Sequence, residues 1–127
     1  ELPEFLSKLK QTVTELARVG VQPVLMTLPP IDGARYLDYI CRGGLSRDSI
    51  MRWLGDVGCI YRYQELYSDT VASFAMREGL PLIDVRRRFL PQRDLSELIS
   101  ADGIHLTMPG YRQLFDTLAQ WVVPQLA

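Results

Sequence analysis

The sequence predicts an α/β chain built on parallel strands. Two helix-length stretches with an apolar residue every three or four positions are each followed, after a glycine, by a short and almost wholly apolar run, and a third such stretch comes near the end. Helix then strand, twice over, is the alternation of βαβ units, and near-continuous apolar strands belong to sheets covered on both faces. With 127 residues, 47% hydrophobic and 23% charged, the chain has the composition of one ordinary globular domain.

The first helix is predicted from Leu2 to Val19, with its stripe at Leu2, Phe5, Leu6, Leu9, Val13, Leu16 and Ala17. Pro3 suits a first helical turn, and Gly20 suits the left-handed residue that closes a helix. The run Val21 to Leu28, bounded by Gly20 and Pro29-Pro30, is the first strand. Residues 31–59 form an excursion from its end, with Asp32-Gly33 and Gly43-Gly44 turns around two short helical pieces, Ala34 to Arg42 and Ser46 to Leu54. Ser46 is placed to cap the second piece, and an excursion of this kind can serve as the wall or lid of a site. Ile60, Tyr63, Leu66, Tyr67, Val71, Phe74 and Ala75 mark the next helix. Gly79 closes it, and Leu80 to Val85 is the second strand. Residues 86–100 are expected to be loop plus a short helix from Asp94 to Ile99. The last helix runs from Pro109 to Val123, capped near Thr107 and ended by Pro124, with its stripe at Tyr111, Leu114, Phe115, Leu118, Trp121 and Val122.

Three long helices and two strands do not balance. A two-stranded parallel ribbon leaves apolar helix faces without a partner, since such sheets usually have about five strands. The expectation is that further strands come from polypeptide preceding Glu1 or from a second copy of the chain. Because the first residue is not Met, a targeting signal ahead of it stays open, and the compartment with it.

A formal net charge of -1 provides no field to gather phosphates, which argues against a nucleic-acid partner. No apolar run approaches the roughly 18 to 20 residues of a membrane span. Cys41 and Cys59 are read as two free buried thiols, with one disulfide as the alternative in an oxidising compartment. With a single histidine and no Cys/His cluster, no metal site is expected, and no Gly-rich phosphate loop follows either strand, which disfavours a flavodoxin-like binding domain.

The lone histidine lies in Asp102-Gly103-Ile104-His105. Asp and His three apart, with a glycine to permit a tight turn, can bring a carboxylate oxygen to the imidazole Nδ1 hydrogen. That contact fixes the tautomer and leaves Nε2 free to take a proton from a nucleophile.

Asp102-Gly103-Ile104-His105-Leu106-Thr107, followed by Gly110-Tyr111 at the head of the last helix, resembles the final conserved block of the SGNH (GDSL-type) hydrolases, a family of esterases and lipases. The strand ending in Thr27-Leu28-Pro29-Pro30 resembles that family's fourth strand. Trp53 to Asp56, Ile60 to Gln64 and Leu82 to Val85 resemble its second half less specifically. The resemblance implies a three-layer α/β/α sandwich around a parallel sheet, of which residues 1–127 are the C-terminal portion. It implies His105 as general base and Asp102 as its orienting carboxylate, no cofactor, and a small acyl ester as substrate, either lipid or acetylated carbohydrate. The sequence departs from the family in having no Gly-Asp-Ser nucleophile motif and no Gly-x-Asn-Asp motif; it contains no Asn at all. The expectation is a serine ester hydrolase whose Asp-His pair lies here, silent on its own. The alternative is a non-catalytic α/β interaction module that completes its sheet by self-association.

Other candidates have simpler readings. Arg86-Arg87-Arg88 could bind an anion but is expected to be a solvated loop run. Asp84 is expected to bond loop amides. Tyr36, Tyr39 and Trp53 could line a pocket or pack the excursion on its own sheet. Pro29 and Pro30 end the strand and shape the site's edge, and Asp32 forms a turn.

Overall fold

A computed structural model describes residues 1–126. Helix α1 (Leu2–Arg18) leads to strand β1 (Leu25–Met26), helices α2 (Gly33–Arg42), α3 (Arg47–Leu54) and α4 (Gly58–Glu78), strand β2 (Leu82–Ile83), the single turn α5 (Arg86–Phe89) and helix α6 (Met108–Val122). A 3-10 turn at Val123–Gln125 follows, with Pro124 inside it. β1 and β2 pair in parallel, Leu25 with Leu82 and Met26 with Ile83. The fold is therefore mixed helix and parallel strand, with α4 against both strands and α6 against β2.

Helix ends follow the sequence closely. After α1 the chain turns at Gly20, φ +75°, with the Gly20 and Val21 amides donating to the Ala17 and Leu16 carbonyls. Gly79 closes α4 in the left-handed region. The Ser46 and Thr107 hydroxyls accept from the amides of Ser49 and Gly110, at 3.3 Å each. Except for exposed Ala17, the α1 stripe lies half-buried, with Phe5 edge-on to Tyr67 of α4 at 4.9 Å between ring centroids.

The strands are shorter than the apolar runs that predict them. The Leu25 amide donates to Pro81 and the Thr27 amide to Ile83, but Pro23 has no amide hydrogen and Val21, Gln22 and Val24 are exposed, so the ladder reaches no further toward the N-terminus. At the other end the Leu28 amide turns to the Ser68 hydroxyl of α4, at 3.1 Å.

The core gathers Ile83, Val85, Phe89 and Leu98, with Met26, Leu95, Leu106, Leu114, Leu118 and Trp121 packed on it. Only part of the α6 stripe is used: Tyr111, Phe115 and Val122 remain exposed, Phe115 by 68%.

The expected helix at Asp94–Ile99 is absent. The Asp94 carboxylate takes the Ser96 amide at 2.7 Å, which sets a local turn in competition with a helix. Ile99 then forms an antiparallel bridge with Leu106, and the amides of Ser100 and Thr107 donate to the carbonyls of His105 and Leu98. The helical turn falls earlier, at Arg86–Phe89.

The arginine run is also corrected. Arg87 and Arg88 are exposed, but Arg86 is buried: its guanidinium donates to the Leu28 carbonyl (3.2 Å) and the Tyr61 hydroxyl (2.9 Å) and pairs with Glu65. Asp84 does bond its surroundings, accepting from the Thr27 hydroxyl at 3.0 Å and the Arg87 amide at 3.3 Å. Cys41 and Cys59 are unbonded to each other and half-buried.

Candidate active site

The bridge between Ile99 and Leu106 holds a tight loop whose tip carries the Asp-His pair. Gly103 sits at φ +81°, a conformation that costs most residues dearly. Its carbonyl accepts the Asp32 amide at 2.8 Å, and a Cβ there would overlap the Asp32 carbonyl oxygen and the Tyr36 amide nitrogen. The loop is thus seated directly on the first turn of α2. A second close approach lies at Gly110, where a Cβ would overlap the Leu98 carbonyl oxygen, so the start of α6 presses against the base of the same loop.

Within this frame Asp102 and His105 meet, Oδ2 to Nδ1, at 2.5 Å. The other carboxylate oxygen accepts three hydrogen bonds, from the Ser100 hydroxyl (2.5 Å) and from the Ile104 and His105 amides (3.0 Å each). The Ser100 hydroxyl first, then the His105 ring and the two amides, hold the Asp102 carboxyl well below the usual carboxylate range. An ionised, fully bonded carboxylate facing Nδ1 favours the tautomer with its hydrogen on Nδ1 and presents Nε2 outward. Asp102 is 19% exposed and His105 is 69% exposed, so the pair has one anchored member and one solvent-facing member. Nε2 has no hydrogen bond among the described residues.

The two residues singled out by spacing are brought together. Two contributors escape sequence reasoning. Ser100 lies two positions before Asp102 and carries no motif. Arg35, on α2, donates to the carbonyls of Ser96 (3.1 Å) and Ile99 (2.8 Å) and pairs with Asp32 at 3.4 Å. Asp32 is more than a turn former: its carboxylate caps α2 at the Arg35 amide, 3.0 Å. Of the aromatic candidates, Tyr36 is half-buried against the loop, while Tyr39 and Trp53 are exposed, Trp53 by 79%. Of the excursion, α2 is anchored through fully buried Leu37, whereas α3 buries no residue.

A separate polar cluster lies where the strands end, a cavity of about 220 Å³ bordered by Thr27, Glu65, Ser68, Asp84 and Arg86. Arg86 is committed to Glu65 of α4, and Asp84 to the Thr27 hydroxyl and the Arg87 amide. Among the described residues no group of three or more His, Cys, Asp or Glu side chains is placed to hold a metal ion, and no helix is long and apolar enough to cross a membrane. Compared with known proteins, the chain matches no family model, and no curated protein matches it in sequence.

Proposed function

We propose that this chain supplies the general base and its orienting carboxylate to a serine ester hydrolase of the SGNH type, as the C-terminal portion of its three-layer α/β/α domain. The observation that carries the reading is the Asp102–His105 contact on a loop fixed from both sides. In the intact enzyme a serine outside residues 1–127 attacks the acyl carbonyl. His105 Nε2 takes its proton and later returns it to the leaving alkoxide, and Asp102 steadies the imidazolium. The substrate class is a small acyl ester, of a lipid or an acetylated carbohydrate.

Residues 1–127 alone are then catalytically silent. A nucleophile and its base act as a unit, and oxyanion donors are separately worth roughly 10²- to 10³-fold. The expected result is hydrolysis of p-nitrophenyl acetate by the isolated chain no faster than by free imidazole. In the longer polypeptide, His105→Ala is expected to lower kcat/KM by about 10³-fold or more, and a fluorophosphonate probe to label a serine outside residues 1–127. Labelling of a serine within them, or full activity of the His105→Ala variant, would overturn the proposal.

The short ladder supports a second reading. With two strands and an exposed approach to β1, a non-catalytic module could complete its sheet with a second copy. Sedimentation of the isolated chain separates the two: a tight symmetric dimer favours this module, and a concentration-independent monomer excludes it.

A further inference from the structure

The loop that carries the Asp-His pair makes its polar contacts to the excursion through two neighbouring points on α2. One is the Asp32 amide, bonded to the Gly103 carbonyl at the loop's tip. The other is the Arg35 guanidinium, which reaches the carbonyls of Ser96, in a turn, and of Ile99, at the bridge, on the arm that feeds into Ser100 and Asp102. Arg35 is itself held by Asp32, whose carboxylate takes both the Arg35 amide and an ion pair with the side chain. One acidic residue at the head of a helix therefore fixes an arginine, and that arginine grips the arm from which the dyad hangs.

We propose that Arg35 is a positioning residue for the Asp102–His105 dyad, acting through the Ile99 and Ser96 carbonyls to hold the arm in register. The assignment of a catalytic task to that register rests on the hydrolase reading; the mechanical role does not. The guanidinium suits it because Nη1 donates to both carbonyls while Nε stays against the Asp32 carboxylate, and a single ammonium nitrogen reproduces these two separated sets of contacts only in part. Without it the arm keeps its Ile99–Leu106 bridge but loses the tie between Ile99 and α2. Ser100 then drifts relative to Asp102, and the carboxylate oxygen that collects the Ser100, Ile104 and His105 donors loses its fixed direction.

The single histidine makes the test direct, because its ring nitrogen signals need no assignment. Arg35→Gln and Arg35→Lys are compared with the parent chain, and with Arg42→Ala as a control at the exposed end of the same helix. The readouts are the ring ¹⁵N pattern of His105 and hydrogen exchange at the Ile104 and His105 amides. The expected result is cooperative unfolding in every variant and exchange at those two amides about tenfold faster in Arg35→Gln. The Nδ1–H tautomer signature weakens with it, Arg35→Lys lies between, and Arg42→Ala matches the parent. Unchanged exchange and an unchanged ring pattern in Arg35→Gln would overturn the proposal. So would loss of protection spreading equally to Val71 and Phe74 of α4, or failure of both Arg35 variants to fold, since Arg35 would then hold the whole fold. If the parent itself lacks the Nδ1–H tautomer, the dyad reading fails, while the amide comparison still decides whether Arg35 positions the loop.

Discussion

Replacing Gly103 by alanine probes the seat of the dyad with one methyl group. Two separate costs arise. At φ +81° an L-residue is strained by roughly 1–2 kcal/mol. The added Cβ also overlaps the Asp32 carbonyl oxygen and the Tyr36 amide nitrogen and lies 3.0 Å from the Tyr36 Cα, all of it backbone in the first turn of α2 that cannot rotate away. Forcing such contact costs a further 1–3 kcal/mol or about that, for a total of about 2–5 kcal/mol. Gly20 is the matched control: φ is +75°, but nothing lies within 4 Å of its Cβ position, so Gly20→Ala bears the strain alone. At about 4 °C per kcal/mol for a chain of this size, thermal unfolding is expected to drop by about 4–8 °C for Gly20→Ala and by about 8–20 °C for Gly103→Ala. Hydrogen exchange at the Asp32 amide, whose acceptor is the Gly103 carbonyl, is expected to accelerate only in the second. Equal losses in the two variants, with Asp32 exchange unaltered, would refute the close seating of the loop on α2.

Asp102 gives a pH dependence. Its carboxyl lies lower in the folded chain than the ordinary 3.8, so its ionised form stabilises the fold fully above about pH 4 and that contribution fades as pH falls further. Acid titration of Asp102→Asn against the parent, followed by circular dichroism, should show a shallower loss of stability below pH 4 in the variant. Ser100→Ala removes the hydroxyl donor that does most to hold that carboxyl down, so the Asp102 carboxyl, read by ¹³C resonance, should titrate at higher pH than in the parent; no movement would remove Ser100 from the site. Thr107→Ala loses the cap of α6 and the hydroxyl's bond to the Glu97 carbonyl, and denaturant unfolding should report a loss of about 1 kcal/mol. Arg86→Ala leaves the Tyr61 hydroxyl and Glu65 without their partner and should cost about 2 kcal/mol by the same measurement, with part of it recovered when Glu65→Leu is added.

What could be foreseen from the sequence was whatever depends on short spacing. The α1 and α4 stripes, the glycine exits at Gly20 and Gly79, and the caps at Ser46 and Thr107 all express rules that act within a turn or two. The Asp102–His105 contact is of the same kind, since three residues and a left-handed glycine suffice to make it. Less legible was everything set by partners distant in the chain. Val21 to Val24 have the composition of a strand but lack a ladder to join. Asp94 to Ile99 could be drawn as a helix until the Asp94 carboxylate takes the Ser96 amide and the bridge to Leu106 takes the Leu98 carbonyl. Arg86 reads as surface charge because nothing nearby announces Tyr61 and Glu65. Arg35 and Ser100 carry no motif, and their roles exist only once α2 and the dyad loop have met.

That meeting has a temporal side. The Arg35 contacts join positions 61 and 64 apart in the chain, so ring closure must be achieved before the bonds return anything. Until α2 has found the arm, the Asp102–His105 contact rests on its short bend and the Ile99–Leu106 bridge alone, and the loop that carries it has no seat. Protection of the Asp32 amide, whose acceptor is the Gly103 carbonyl, should therefore appear late in refolding, after helix formation is complete, which makes that amide a clock for the final docking event.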